Sequence, residues 1–69
     1  MSIWEKIGKQ IREKRNQRGM TQGQLGAKVG ARKAFISNIE NCNQKCSLAK
    51  LNEIADALDC DLDMVVRER

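Results

Sequence analysis

Apolar residues recur along this chain at the three- and four-residue spacing of amphipathic helices. Glycines and short polar segments interrupt the pattern, and Ser47 and Asp61 are residues of the kind that begin helices. The pattern predicts an all-α fold class, a compact bundle of five helices. We expect helix 1 at about residues 3 to 18, helix 2 from Thr21, helix 3 at about residues 32 to 40, helix 4 after Ser47 and a short helix 5 after Asp61.

The same spacing predicts which side chains face the core. Each of the first four helices places its branched aliphatic residues on one stripe and its charged residues elsewhere. The expected inward residues are Ile3, Ile7 and Ile11 of helix 1, Leu25 and Val29 of helix 2, Ile36 and Ile39 of helix 3, and Leu48, Leu51, Ile54, Ala55 and Leu58 of helix 4.

The start and end of helix 2 carry specific signals. Thr21 and Gln24 have the T-x-x-Q spacing of a capping box, in which each side chain binds an amide of the other residue. Gly30 is expected to form the turn into helix 3, because a positive φ is cheap only for glycine. Gly26 inside a helix costs up to about 1 kcal/mol relative to alanine, so helix 2 must be held by tertiary contacts. Because glycine has no side chain, we expect helix 3 to approach helix 2 closely at Gly26.

Size and composition exclude several classes of protein. A chain of 69 residues buries only about 60% of its unfolded surface, so we expect one domain over residues 1–69 without a deep substrate pocket. The sequence has no run of about 18 apolar residues, the length that a membrane-spanning helix needs. Charged residues close to the N-terminus, in MSIWEKIGKQ, argue against a secretory signal. We therefore expect a cytoplasmic protein. Without histidine, three cysteines complete no zinc site. We therefore expect no cofactor, no metal and no enzymatic activity.

Charge is divided unevenly along the chain. The net charge is +4, but residues 1–50 carry 11 Lys and Arg against 3 Asp and Glu, whereas residues 51–69 carry 2 basic and 6 acidic residues. A polyanion would be attracted to the first part and repelled by the second, which orients an encounter.

Polar and small residues form a strip on the side of helix 3 opposite Ile36 and Ile39. Cations, amides and a methyl group on the free face of a short helix suit the major groove of DNA. The sequence therefore predicts a sequence-specific DNA-binding regulator. The strip consists of Lys33, Ala34, Ser37, Asn38 and Asn41.

Residues 22–41 resemble the helix-turn-helix motif of the Xre/Cro/phage-repressor family, the lambda-repressor-like domains. Counted from Gln22, the small fifth residue is Gly26 and the turn glycine in ninth place is Gly30. The flanks IGKQIREKR and SLAKLNEIADALDCDLDMV match as well, so the resemblance covers nearly the whole chain. It implies a five-helix bundle that inserts helix 3 into the major groove. The apolar motif positions are occupied by Leu25, Val29, Ala31, Ile36 and Ile39.

The resemblance also implies which residues contact double-stranded DNA. Arginine or lysine suits guanine O6 and N7, asparagine suits adenine N6 and N7, and a small methyl group suits thymine. A glutamine at the positive end of helix 2 suits a phosphate. The implied base-reading residues are Arg32, Lys33, Ala34, Ser37 and Asn38, and the implied phosphate contacts are Gln22, Asn41 and Lys45.

Two further features concern stability and assembly. Arg15 and Glu40 match a family pair that ties helix 1 to the end of helix 3, which we interpret as a structural salt bridge. The apolar residues of helix 5 exceed what its own docking needs, so we expect a homodimer that reads an inverted repeat with half-sites about 34 Å apart. The expected interface residues are Leu62, Met64, Val65 and Val66.

The chain departs from the family pattern in the loops, and other functions stay open. Asp59 stands where the family tends to have glycine, and the loop after helix 3 reads N-C-N-Q-K-C without the usual glycine and proline. Cys42 and Cys46 are either ordinary loop residues or a thiol switch. The alternative function is an antitoxin-like module that neutralises a protein partner through the acidic face of helices 4 and 5 and regulates its own gene.

Overall fold

The computed structural model describes residues 2–60, and every regular element in that range is an α-helix. The first four predicted helices are present with starts and ends close to those expected. The predicted number of five is not matched, because residues 2–60 contain four helices. Helix 5 and the expected dimer residues Leu62, Met64, Val65 and Val66 lie outside the described residues. The helices are α1 (Ile3–Gln17), α2 (Gln22–Lys28), α3 (Lys33–Glu40) and α4 (Leu48–Ala57).

Side-chain caps begin three of the helices. Thr21 Oγ1 accepts a 3.0 Å hydrogen bond from the amide of Gln24, whose Oε1 accepts a 2.8 Å bond from the amide of Thr21. The predicted capping box of α2 is therefore confirmed. Ser2 and Glu5 form a second box at the start of α1, which was not predicted. Ser47 caps α4 by accepting a bond from the amide of Lys50.

A single apolar core joins the four helices. Every helix contributes to it, and α4 contributes the most, whereas Val29 and Leu58 lie at the C-caps of α2 and α4. These side chains are at most 6% exposed, and burying each valine, leucine or isoleucine among them stabilises the fold by about 1.5–3 kcal/mol. The core consists of Ile7, Ile11, Leu25, Val29, Ile36, Ile39, Leu51, Ile54, Ala55 and Leu58.

Two residues expected in the core are exposed instead. Ile3 is 39% exposed and Leu48 is 62% exposed. Both are the first residues of their helices, and helical side chains tilt towards the N-terminus. A side chain in the first position therefore points past the end of the helix and away from the residues that follow it. The spacing of apolar residues alone does not distinguish the first residue of a helix from the buried residue one turn later on the same face.

Two glycines allow backbones to touch. A Cβ atom on Gly26 would lie 2.6 Å from the carbonyl oxygen of Ala31, and a Cβ atom on Gly8 would lie 2.6 Å from that of Glu40. The close approach expected at Gly26 is present, and it falls on the turn that leads into α3. The approach of α1 to the end of α3 at Gly8 was not predicted. Gly30 has a φ of +67° and forms the turn between α2 and α3.

Residues 2–60 contain no helix long and apolar enough to cross a membrane. The same range holds no group of three or more His, Cys, Asp or Glu side chains that could bind a metal ion. Cys42 and Cys46 are free thiols. Burial raises the pKa of the Cys46 thiol, and the charge of Lys50 opposes this rise without cancelling it.

Candidate nucleic-acid interface

The outer face of α3 carries the residues expected to read bases. Lys33 and Ala34 are exposed, and Ser37 and Asn38 are half-buried one turn later. Ile36 and Ile39 lie on the opposite face and are 0% exposed. Because the apolar face is fully packed, α3 has one orientation on the domain, and its polar side chains point outward from it.

Arg32 lies at the N-cap of α3 rather than within the helix. Its backbone is extended, with φ −85° and ψ 157°, and its side chain forms no cap hydrogen bond. The guanidinium is exposed beside the exposed side chains of Lys33 and Ala34. Two positive charges therefore stand together at the start of the helix, where they are available to acceptors on a ligand.

Hydrogen bonds connect the amides of this face to their neighbours. Asn38 Nδ2 donates to Gln44 Oε1 in the following loop at 3.4 Å. Asn41 Nδ2 donates to Ser37 Oγ, also at 3.4 Å. An asparagine amide has two N–H donors and an acceptor oxygen, so Asn38 keeps one donor and its oxygen for a ligand.

The carboxylate of Glu40 connects the end of α3 to α1 and α2. Arg15 donates to both of its oxygens, from Nε to Oε2 at 2.7 Å and from Nη2 to Oε1 at 3.1 Å. Gln22 Nε2 donates to Oε1 at 3.1 Å. The Glu40 side chain is 0% exposed, and a buried carboxylate with these donors is well satisfied. Arg15 and Glu40 thus form the ion pair that the resemblance implied.

Burial alone would raise the pKa of Glu40. Hydrogen bonds from Arg15 and Gln22, together with the positive charge of Arg15, outweigh burial and hold the Glu40 pKa below its ordinary value. The same hydrogen bond to Glu40 raises the pKa of Arg15. Both groups are therefore charged when the domain is folded at neutral pH.

The expected phosphate contacts lie in three different surroundings. Gln22 is half-buried, and its amide is bound to Glu40. Asn41 is the exposed C-cap of α3, and Lys45 is exposed in the loop before α4. Arg12 also lies at this end of α3, where its Nη2 donates a 2.7 Å hydrogen bond to Asn41 Oδ1. Sequence reasoning missed Arg12, because the contact depends on how α1 crosses α3.

The sequence matches a helix-turn-helix family model over residues 11–65. The chain belongs to the helix-turn-helix family. This is the Xre/Cro/phage-repressor type expected from the sequence, and the chain is accordingly a DNA-binding domain of the kind found in transcriptional regulators.

A curated relative of this helix-turn-helix domain is the competence pilus inhibition repressor of Acinetobacter baylyi (strain ATCC 33305 / BD413 / ADP1). It is 39% identical over 59 residues, which cover 86% of this chain and 54% of the relative. The chain therefore spans about half the length of the relative that it matches. No solved structure gives a significant match to the chain.

A groove of about 460 Å³ lies beside α3 in the helix-turn-helix domain. Ala34 and Asn38 line it from α3, and Gln44 lines it from the loop. Lys50 also lines the groove, and its Nζ donates a 2.9 Å bond to the carbonyl oxygen of Val29. This bond satisfies a carbonyl at the end of α2, which a cation stabilises.

The loops contain two left-handed residues that are not glycine. Cys42 has a φ of +64° and Asp59 has a φ of +53°. Cys42 follows the C-cap of α3, a position where glycine is favoured because a side chain strains this conformation. The loop that departs from the family sequence thus reaches a conformation that glycine would adopt more easily.

Proposed function

We propose that this chain is a repressor that binds an inverted-repeat operator as a homodimer, with α3 in the major groove. The name of the Acinetobacter baylyi relative supports repression rather than activation. The proposed role is binding and not catalysis, and in a bacterium or phage it is carried out in the cytoplasm. The alternative antitoxin-like function has no observation in residues 2–60 that favours it over this one.

The observation that carries the proposal is the arrangement of α3. Its apolar side is buried at Ile36 and Ile39, whereas its outward side presents Lys33, Ala34 and Asn38. Glu40 fixes the far end of the helix to α1 and α2. A rigidly held helix with polar side chains on its free face can enter the major groove, which admits one α-helix.

Base reading is assigned by side-chain chemistry. Arg32 and Lys33 donate to O6 and N7 of guanine, Asn38 pairs with N6 and N7 of adenine, and Ala34 contacts the methyl group of thymine. Ser37 donates to or accepts from a base edge. Each well-formed bidentate contact discriminates against a wrong base by about 1–3 kcal/mol.

Phosphate contacts are assigned to the two ends of the motif. Gln22 has one N–H left after its bond to Glu40, and this donor can bind a phosphate near the start of α2. Asn41 and Lys45 are exposed beyond the end of α3 and suit the opposite side of the groove. Such contacts set the register of the protein on the duplex without reading sequence.

The homodimer rests on the sequence of residues 62–66. Leu62, Met64, Val65 and Val66 are the proposed interface residues. A two-fold dimer would present two copies of α3 about 34 Å apart, one turn of B-DNA. The operator is then expected to be a palindrome with half-sites centred about one turn apart.

The proposal is tested by selecting bound fragments from random-sequence duplex DNA at two salt concentrations. An inverted repeat with half-sites about one helical turn apart would support a dimeric repressor. Recovery of a single half-site would contradict the homodimer while retaining base reading by α3. Salt-sensitive binding without any sequence preference would contradict the assignment of α3.

A further inference from the structure

Helix α1 passes the C-terminal end of α3 at a glycine. A Cβ atom on Gly8 would lie 2.6 Å from the carbonyl oxygen of Glu40 and 2.7 Å from that of Ile39. Because no larger residue fits, the two backbones are in direct contact. Arg12 lies four residues after Gly8 on the same side of α1, so this contact brings its guanidinium to the end of α3.

Arg12 makes two contacts at that end. Its Nη2 donates a 2.7 Å hydrogen bond to Asn41 Oδ1, and its Nε lies 3.5 Å from Glu40 Oε1. The side chain is nevertheless 48% exposed. A guanidinium carries five N–H donors, so donors of Arg12 are left for a ligand.

Glu40 does not require Arg12 for neutralisation. Arg15 already binds both carboxylate oxygens, and Gln22 donates a further bond. Two arginines around one carboxylate leave an excess of one positive charge, which lies on the more exposed of the two, Arg12. Such a charge beside a DNA-binding helix attracts a phosphate.

The contacts of Arg12 continue to the outer face of α3. Asn41 accepts from Arg12 through Oδ1 and donates to Ser37 Oγ through Nδ2. A chain of hydrogen bonds therefore runs from α1 to a proposed base-reading residue. Arg12, at the start of this series of hydrogen bonds, can bind the DNA backbone and also hold the Asn41 side chain in one orientation.

We propose that Arg12 is a further DNA-contacting residue, which binds a backbone phosphate beside the C-terminal end of α3 and holds the Asn41 side chain against Ser37. The inference rests on the proposed function, because it takes α3 as the helix that enters the major groove. It adds α1 to the DNA-binding surface, an element outside the two helices of the motif.

The test compares wild type with Arg12→Ala in titrations of duplex DNA at several salt concentrations. The duplexes are the site recovered by selection and a random sequence. We expect Arg12→Ala to bind both duplexes about tenfold more weakly, as for one lost hydrogen bond to a charged group. The slope of log K against log salt should fall in magnitude by about 0.9, the value for one phosphate.

Two variants separate a phosphate contact from other effects of the substitution. Arg12→Lys retains the charge and should keep the wild-type slope. Lys28→Ala removes the same charge from an exposed position beside Glu53 and Asp56, at a surface cavity of about 420 Å³ between α2 and α4. We expect Lys28→Ala to keep the wild-type slope as well, because this cavity is lined by α2 and α4 and not by α3.

The outcomes distinguish this inference from the proposed function. If the slope of log K against log salt were the same for Arg12→Ala and wild type, the proposed phosphate contact of Arg12 would be overturned. A loss of affinity together with a lower melting temperature would then show that Arg12 is a structural residue. Equal binding of the selected and random duplexes by wild type would overturn the proposed function itself. Absence of binding by wild type would overturn both.

Discussion

Arg15 Nε lies 2.7 Å from Glu40 Oε2, and this pair joins the last turn of α1 to the last residue of α3. The same guanidinium donates from Nη1 to the carbonyl oxygen of Met20 at 2.8 Å, just before α2. One arginine of α1 therefore contacts both the segment before α2 and the end of α3. The position of α3, and with it the direction of its outer face, depends on a buried charge pair as well as on apolar packing.

Replacing Glu40 by alanine should destabilise the fold by about 3–5 kcal/mol, because Arg15, whose side chain is only 12% exposed, would be left without its charged partner. The effect on DNA binding should be secondary and follow from unfolding. The measurement is the free energy of unfolding in urea. Glu13→Ala, an exposed carboxylate on α1, is the control and should change stability by less than about 0.5 kcal/mol. A Glu40→Ala variant with the melting temperature of wild type and no DNA binding would contradict this role.

Stability should fall in acid because of Glu40. Its pKa in the folded domain lies below the ordinary value of 4.5, since the hydrogen bonds and charge of Arg15 outweigh burial. A group with a lowered pKa contributes stability above its unfolded pKa and loses that contribution as pH falls through the folded pKa. We expect the free energy of unfolding to decrease as the pH is lowered below about 5. Glu40→Gln should show a smaller drop, and an equal drop would contradict the assignment.

Alanine substitutions at Gly26 and Gly23 should have opposite effects. Both glycines lie in α2, where alanine is intrinsically favoured by about 1 kcal/mol. A Cβ atom at Gly26 would lie 2.6 Å from the carbonyl oxygen of Ala31, whereas one at Gly23 meets nothing nearer than 3.9 Å. Gly26→Ala should therefore destabilise by about 1–3 kcal/mol, and Gly23→Ala should stabilise. Thermal unfolding distinguishes them, and stabilisation by both would refute the close approach.

Replacing Cys42 by glycine should stabilise the domain by up to about 1 kcal/mol. The side chain is exposed and the residue has a φ of +64°, so glycine relieves strain without removing packing. Asn43→Gly is the matched control, because Asn43 is the next residue in the same loop and does not have a positive φ. There glycine only adds entropy to the unfolded chain and should destabilise by about 0.5–1 kcal/mol. Equal destabilisation by both variants in chemical denaturation would show that residue 42 is not strained.

Local sequence signals predicted most of the fold. The capping box of Thr21 and Gln24 and the turn at Gly30 depend on residues close together in the chain, and each is present. The apolar stripes likewise predicted the core. They failed at Ile3 and Leu48, because periodicity describes the face of a helix and not where the neighbouring helices end.

Contacts between distant parts of the chain were predicted less well. The pairing of Arg15 with Glu40 followed from resemblance to a family and not from spacing. The approach at Gly8 and the bond from Arg12 to Asn41 were missed, because both depend on the angle at which α1 crosses α3. A glycine inside α1, four residues before an arginine, was the one local sign of that crossing.

The most direct test of the central claim, that the outer face of α3 reads bases, is to repeat the DNA selection with Asn38→Ala. Alanine favours the helix, so folding should be retained, which a melting curve verifies. We predict that the preference for adenine is lost at one position in each half-site, at a cost of about 1–3 kcal/mol, while all other positions keep their preferences. An unchanged profile, or a uniform loss of affinity across every sequence, would contradict base reading by this face of α3.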